Sequence, residues 1–485
     1  MLYVAQVTVS SLLPLISIPI ITHKLPPSEF GVFALAQVYA SIAAGIMNWG
    51  ASVGYERNFF LHEHNQRESG ALISSVIAFV FTNVIVMVAM VIYWKDSLST
   101  ILFDVPIYGD FLVIILAGTS LSTLASYYLT YLKNSGLASD FVKITISQSI
   151  VNFVLVLIFL LYVGAGVNSL AYALFLSNLF LFVVVLVKQI GALPVSLDKA
   201  LLVDVLRISL PLTPRVFFGF INTHFDKMML GMMASVGGVG IYSIGQKVSL
   251  VVFQFMTALD GVFKPEVYRK LFSQEQNNID PEIGKYLTPF AYISILAALM
   301  VILFAEEVFV LLLPESYLGA VSVVIILSMF YATMFFGKII GVQLIYAKKT
   351  HLTTVLTLIG ILLNVALNIP MILLWGILGA AWATLIAGSS MTVVSYYVAQ
   401  RYARVQWEWR SMFAIYGVFF TAAGFALIFH MDLLGISYES IIVTKVLVVM
   451  TYIFLGKKLD IVTIQKGRTM FNTFLGMVRR RSPAN

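Results

Sequence analysis

Arg215, Asn222 and Asp226 recur at spacings of seven and four residues within Leu210 to Lys247, a stretch otherwise apolar enough to cross a bilayer. At 3.6 residues per helical turn these spacings place all three on one helix face, together with Pro211 and Gly219. An ionised side chain at the centre of a bilayer costs roughly 2.5 to 3.5 kcal/mol on insertion scales, so such residues face a bundle interior, a water-filled space or an opposite charge. The same stretch carries His224, Lys227 and Lys247. Further along, Lys338 stands in Phe335-Phe336-Gly337-Lys338-Ile339-Ile340-Gly341, the only formal charge between Glu315 and Lys348. The chemistry open to Arg215, Lys247 and Lys338 is compensation of an anion in a partly desolvated space, Arg as a planar fork and Lys as a point charge. Asp226 shares the Arg215 stripe and is the first candidate for binding a coupling ion, with Glu56 and Asp260 read at helix ends.

Neutral polar residues form a second set. Gln37, Ser41 and Asn48 lie in one apolar segment, and Thr119, Ser122, Thr123 and Ser126 in another. Gln37 and Asn48 are candidate contacts to a polar substrate, whereas small hydroxyl residues serve to let membrane helices approach closely. No enzyme signature accompanies these residues: there is no Walker A sequence, no G-x-S-x-G, no H-E-x-x-H and no dinucleotide fingerprint. The chain is therefore expected not to be an enzyme and to need no cofactor. His62 and His64 fall among Glu56, Arg57, Glu63, Arg67 and Glu68, the composition of a solvated loop and not of a metal site. The absence of cysteine excludes disulfides and thiolate metal centres.

The elements that position these residues follow from hydropathy. Of the 485 residues 60% are hydrophobic and 11% charged, and the mean hydropathy is +0.94, the profile of an all-α polytopic membrane protein. About fourteen apolar segments of spanning length can be read between residues 3 and 456. The second runs over 32–55. Outside the apolar segments, Lys24 and Lys95 are the only basic residues in odd-numbered loops, and Arg215, Lys227, Lys247, Lys338 and Lys445 the only ones within spans. All others fall in even-numbered loops or the tail, which by the positive-inside rule puts both termini in the cytoplasm. The net charge of +7 is thus a topology signal and not a nucleic-acid footprint. Lys445 is expected to snorkel to the membrane surface.

An internal repeat organises the spans. Phe30-Gly31 to Gln37 is echoed by Val239-Gly240 to Gln246, Leu13-Pro14 by Leu210-Pro211, Tyr131 to Ser135 by Tyr346 to Thr350, and Asn152 with Gly166 by Asn364 with Gly379. The unit is six helices, so an even number of crossings leaves both copies in the same orientation, as parallel repeats around a central cavity. The expected division is an N-terminal repeat over 1–200, a C-terminal repeat over 201–405, two further helices over 406–456 and a basic tail over 457–485. Within the tail, Ile461 to Met477 is a candidate amphipathic helix on the inner leaflet. Between Lys24 and the second span, Pro26 and Pro27 stop one helix and Ser28 is placed to cap the next.

Taken together, Leu25-Pro26-Pro27-Ser28-Glu29-Phe30-Gly31, Leu210-Pro211-Leu212-Thr213-Pro214 followed by Asp226-Lys227, Val239-Gly240-Ile241-Tyr242 with Gln246-Lys247, Tyr346-Ala347-Lys348-Lys349-Thr350 and Gly376-Ile377-Leu378-Gly379-Ala380-Ala381-Trp382-Ala383 resemble the polysaccharide (O-antigen-type) flippases of the multidrug/oligosaccharidyl-lipid/polysaccharide exporter superfamily. The resemblance implies translocation of an undecaprenyl-diphosphate-linked oligosaccharide from the inner to the outer leaflet by alternating access, coupled to an ion gradient, in a bacterial inner membrane. It implies membrane lipids and other polysaccharide-assembly membrane proteins as further partners. On that expectation the partner of Lys338, which has no acidic neighbour in sequence, is the substrate's diphosphate across the cavity. Two rival readings stand beside it: a multidrug exporter of the same superfamily, and a membrane-bound polysaccharide polymerase or ligase.

Overall fold

The computed structural model of the chain describes residues 2–273, 282–431, 435 and 437–461, and the side chains of 2–5, 7, 8, 11, 214–218, 220–222, 273 and 282 are outside that description. The expected amphipathic helix over Ile461 to Met477 lies outside the described residues, Ile461 aside. The regular elements among the described residues are all helical: α1 (Leu2–Lys24), α2 (Pro27–Asn48), α3 (Ala51–His62), α4 (Gln66–Phe103), α5 (Gly109–Asn134), α6 (Ala138–Leu157), α7 (Asn168–Ala192), α8 (Lys199–Met233), α9 (Val236–Ser273), α10 (Glu282–Leu312), α11 (Ala320–Tyr346), α12 (Thr350–Gln400), α13 (Trp409–His430) and α14 (Tyr438–Lys458). Eleven stretches among the described residues are long and apolar enough to cross a membrane. The longest, α12, is two crossings, because Gly376 at φ 54°, ψ −124° breaks it into two arms. With those arms counted separately and α1 and α8 added, every expected span has its helix, and the chain is an all-α, multi-pass membrane protein.

Local sequence explains the breaks. Pro27 occupies the first turn of α2, where its missing N–H would go unpaired anyway. The cap position is Pro26, in extended backbone, so Ser28 does not cap α2 as its sequence position suggested. The second expected span is broken, since Trp49 (φ 48°) and Gly50 (φ 66°) turn the chain between α2 and α3. Asn65 and Asp198 cap α4 and α8 through side-chain oxygens that accept from backbone N–H groups of the first turn.

The chain forms two compact units, Met1–Gly240 and Ile241–Asn485. In the first, α5 packs on α4 and α7, α6 on α1 and α7, and α8 on α2, α3 and α4. The first unit runs on to Gly240 because α8 and the first turn of α9 pack against its helices. The contact at that first turn is close: a Cβ at Gly31 would stand 1.8 Å from the Val236 carbonyl oxygen, and one at Gly240 would stand 2.1 Å from that of Pro27. In the second unit α11 packs on α10, α12 and α13, and Ala320 to Met329 are all buried. Each unit has one hydrogen bond from an asparagine amide to a hydroxyl of the next crossing. Asn152 Nδ2 on α6 donates to Ser177 Oγ on α7 at 2.9 Å, and Asn364 Nδ2 donates to Thr384 Oγ1 across the arms of α12 at 3.5 Å.

Candidate functional site

Along α11, Phe330, Thr333, Met334, Gly337, Lys338 and Gly341 follow one another at helical spacing and are incompletely covered, whereas most of the helix around them is buried. Gly337 and Gly341 flank the lysine with open space, nothing lying within 4 Å of where a Cβ would be. The ammonium is held from α9. Lys338 Nζ donates to Thr257 Oγ1 at 3.2 Å and lies 4.8 Å from the centroid of the Phe253 ring, whose π face attracts the cation. Phe253 is itself set against Tyr331 of α11, with centroids 5.7 Å apart. One helical face further, Phe263 packs on Phe290 of α10 and Phe335 of α11, which fixes α9 against both.

Phe253, Thr257, Asp260 and Lys264 succeed one another at spacings of four, three and four, so they share a face of α9. Asp260 is within electrostatic reach of Lys338 and Lys264, and its Oδ1 is buried with no hydrogen-bond partner among the described residues. This corrects two expectations. Asp260 is not at a helix end, because α9 continues to Ser273, and Lys338 is answered in part by a carboxylate of the protein. An ammonium has three N–H donors; with one on Thr257, donors remain for an anion approaching along the open stripe. The site lies about 12 Å from the end of α11 at Tyr346, taking eight residues at 1.5 Å rise.

The other sequence candidates do not converge on this point. Lys247 is half-buried on α9, off the face that bears Phe253 and Thr257, and is not a free charge. Asp226 on α8 is buried at 9% exposure and is likewise engaged. Arg215 and Asn222 belong to α8, and their side chains lie outside the described residues. Gln37 is half-buried on α2. Asn48 ends α2 and its Oδ1 accepts from the Tyr127 hydroxyl of α5, so it ties two helices in the first unit. Thr119, Thr123 and Ser126 return their hydroxyls to carbonyls of their own helix.

Lys445 departs from expectation. It does not snorkel: it is 2% exposed, and its Nζ lies 2.6 Å from Glu307 Oε1 and 3.6 Å from Glu306 Oε2 on α10. The sequence survey of acidic residues within spans passed over this Glu-Glu pair, whose signal was two adjacent carboxylates inside an apolar helix. His62 pairs with Glu68 at 2.6 Å, and among the described residues no group of three His, Asp or Glu is suited to a metal ion.

The chain resembles known proteins in sequence and in fold. The profile of a family described as "Polysaccharide biosynthesis protein" matches residues 20–322. The chain is 24% identical over 422 residues, 84% of its length and 86% of the relative's, to the "Probable low-salt glycan biosynthesis flippase Agl15" of Haloferax volcanii. In fold it is similar to the lipid II flippase MurJ in an inward closed conformation, with a TM-score of 0.68 and 14% identity over 95% of this chain and 99% of that one. It is similar also to an inward-facing multidrug resistance MATE family transporter, with a TM-score of 0.61 and 15% identity over 82% of this chain and 97% of the other.

Proposed function

The chain belongs to the polysaccharide biosynthesis protein family, and from that premise we propose that it is a flippase carrying a lipid-diphosphate-linked oligosaccharide from the inner to the outer leaflet of the cell membrane by alternating access, driven by an ion gradient. Both termini are cytoplasmic in this reading, and the alternation runs between the six-helix repeats 1–200 and 201–405, with 406–456 as added helices and 457–485 as a basic tail. The sequence echoes of Phe30-Gly31 to Gln37 in Val239-Gly240 to Gln246 and of Leu13-Pro14 in Leu210-Pro211 support that division.

The observation that carries the proposal is Lys338 on the open stripe of α11. A fixed cation between two glycines that leave room beside it is suited to the diphosphate of a lipid carrier, while the prenyl chain stays among the lipids. A cationic drug would meet repulsion there. Asp260 competes for the ammonium: the two share it until a phosphate of higher charge displaces the carboxylate, and they pair again when the phosphate leaves. Thr257 and Phe253 hold the ammonium in place in both states.

The test separates binding from stability. Lys338→Arg retains part of the flipping of a fluorescent lipid diphosphate in proteoliposomes, Lys338→Ala loses it, and Lys338→Glu loses it while adding repulsion. Because Lys338→Ala strands Asp260, the double variant Lys338→Ala/Asp260→Asn is made beside it; it is expected to insert normally and to remain inactive. Full activity in the double variant would reduce Lys338 and Asp260 to a structural pair and remove this site from the mechanism.

A further inference from the structure

Thr119, Ser122, Thr123, Ser126 and Thr130 of α5, in the first unit, fall within an arc of about 100° of the helix surface. Ser126 is exposed and the other four are half-buried, so they are not the close-packing residues that their small size suggests. The closely packed flanks lie to either side. On one, Tyr127 donates its hydroxyl proton to Asn48 Oδ1 of α2; on the other, a Cβ at Gly118 would stand 2.6 Å from Leu174 Cδ2 and 3.0 Å from the Phe175 Cα of α7. Leu124 and Tyr128, on the back of the helix, are buried in the core of the unit. Toward the start of α5 the same arc closes, because Leu112 and Ile115 are fully buried. Toward its end, the side read as cytoplasmic, the arc stays open as far as Lys133.

The open arc does not face lipid. α5 exposes no large hydrophobic side chain along its length, whereas α4 exposes Phe81, Ile85 and Met90, and α7 exposes Val183, Val187 and Ile190. The same holds for α11 except at Ile345, next to its last residue. The two helices are also matched in sequence, since the echo of Tyr131 to Ser135 by Tyr346 to Thr350 is an offset of 215 residues. By that offset Thr123 answers to Lys338, Ser122 to Gly337 and Ser126 to Gly341. Positions that are open on α11 are therefore open on α5 as well, with hydroxyls where α11 has glycine and an ammonium.

A hydroxyl has one proton to donate and two lone pairs with which to accept. Thr119 Oγ1 donates to the Ile115 carbonyl at 2.8 Å, Thr123 Oγ1 to that of Thr119 at 2.9 Å, Ser126 Oγ to that of Thr123 at 2.6 Å and Thr130 Oγ1 to that of Ser126 at 2.9 Å. Such bonds alone would serve to hide a hydroxyl among apolar neighbours, yet here the oxygens lie on the open side. With their protons spent inside the helix, four oxygens are left as acceptors, at rises of about 6, 4.5 and 6 Å. A row of acceptors about 16 Å long calls for a ligand rich in donors and free of negative charge, because an anion would meet lone pairs and no cation in the arc before Lys133. The hydroxyls of uncharged sugars are such donors. We propose that the hydroxyl row of α5 binds the glycan of the lipid-linked substrate and selects neutral sugars over acidic ones. Lys338 then answers the diphosphate, and α5 reads what the diphosphate carries.

This assignment rests on the flippase reading, and the probes keep the two apart. Purified full-length protein in lipid nanodiscs is titrated with three fluorescent prenyl diphosphates: one without sugar, one bearing a neutral trisaccharide and one bearing a trisaccharide that contains a uronic acid. Native protein should bind the neutral glycan roughly tenfold more tightly than the bare diphosphate, and more tightly than the acidic one. Thr119→Val/Thr123→Val/Ser126→Ala removes three acceptors at nearly constant side-chain size; it should bind the neutral and bare probes alike, with the affinity for the bare probe unchanged. Thr123→Val and Ser126→Ala are made singly as well, each expected to lose about threefold on the neutral probe alone, so that the comparison stands if the triple variant does not insert. Thr123→Lys should turn the preference toward the acidic glycan, and Lys338→Ala should weaken all three probes by the same factor. Equal binding of the neutral and bare probes by native protein, a native preference for the acidic one, or a neutral preference that survives in these variants overturns the glycan row and leaves the flippase standing. If native protein binds none of the three, the flippase reading fails and the row loses its ligand with it.

Discussion

Gly31→Ala places a methyl group between two backbones. Its carbon would stand 1.8 Å from the Val236 carbonyl oxygen and 2.7 Å from the carbonyl carbon, where ordinary contact begins at 3.4 Å. The obstructing atoms are main chain, so no rotamer change relieves the clash, and α2 must move from the first turn of α9 by about 1.6 Å. Overpacking of this kind costs about 3 kcal/mol at the upper end of its usual range, and the better helix propensity of alanine returns at most about 1 kcal/mol. The expected net loss is about 2 kcal/mol. Gly240 faces the same gap, since its Cβ would lie 3.0 Å from the Gly31 nitrogen. One separation therefore relieves both, and Gly31→Ala/Gly240→Ala should cost less than the two single changes added. The assay is the thermal unfolding midpoint of purified protein, measured beside Gly417→Ala and Gly424→Ala, which have nothing within 4 Å and should melt with the native protein or above it. If Gly31→Ala melts with those controls, the crossing is not held as described and the argument from close approach fails.

Two further changes test other parts of the fold. Gly376→Ala should destabilise by about 1–3 kcal/mol, because φ 54°, ψ −124° is open only to glycine, and limited proteolysis should find the turn between the arms of α12 newly accessible. Lys445→Met should cost about 3 kcal/mol by leaving two carboxylates unanswered, and Lys445→Met/Glu307→Gln should recover most of the loss in the same thermal assay; no recovery would mean that Lys445 acts through packing alone.

The spans were legible because a bilayer leaves the backbone few choices: each crossing must satisfy its own hydrogen bonds, so apolar length nearly dictates helix. The break at Pro26-Pro27 was legible for the same reason, since proline denies a helix a donor. What apolarity could not show is where a helix continues beyond its apolar part. Reading α9 as ending near Asp260 treated Asp260, Lys264 and Glu266 as the start of a loop, yet Phe263, Val267 and Leu271 continue beyond it at spacings of four and are buried, and a helix whose apolar residues keep that period is stable there without being a span. With that end misplaced, the Phe253-Thr257-Asp260-Lys264 stripe was invisible although its spacing was on the page.

Lys445 and Lys338 show a deeper limit and also what lies behind it. Both are lone cations in apolar helices, and neither has a charged residue within four positions in sequence. The difference lies across the bundle, in contacts 138 and 81 residues away in sequence. Lys445 meets two carboxylates and is closed off from its surroundings. Lys338 meets a hydroxyl, an aromatic ring and a carboxylate with an oxygen still unpaired, and stands beside two glycines that leave space. A charge inside a membrane is kept only where something compensates it. For Lys445 the protein supplies that compensation in full, whereas at Lys338 the contacts among the described residues stop short on the open side, the side on which the proposed function sets the substrate's diphosphate.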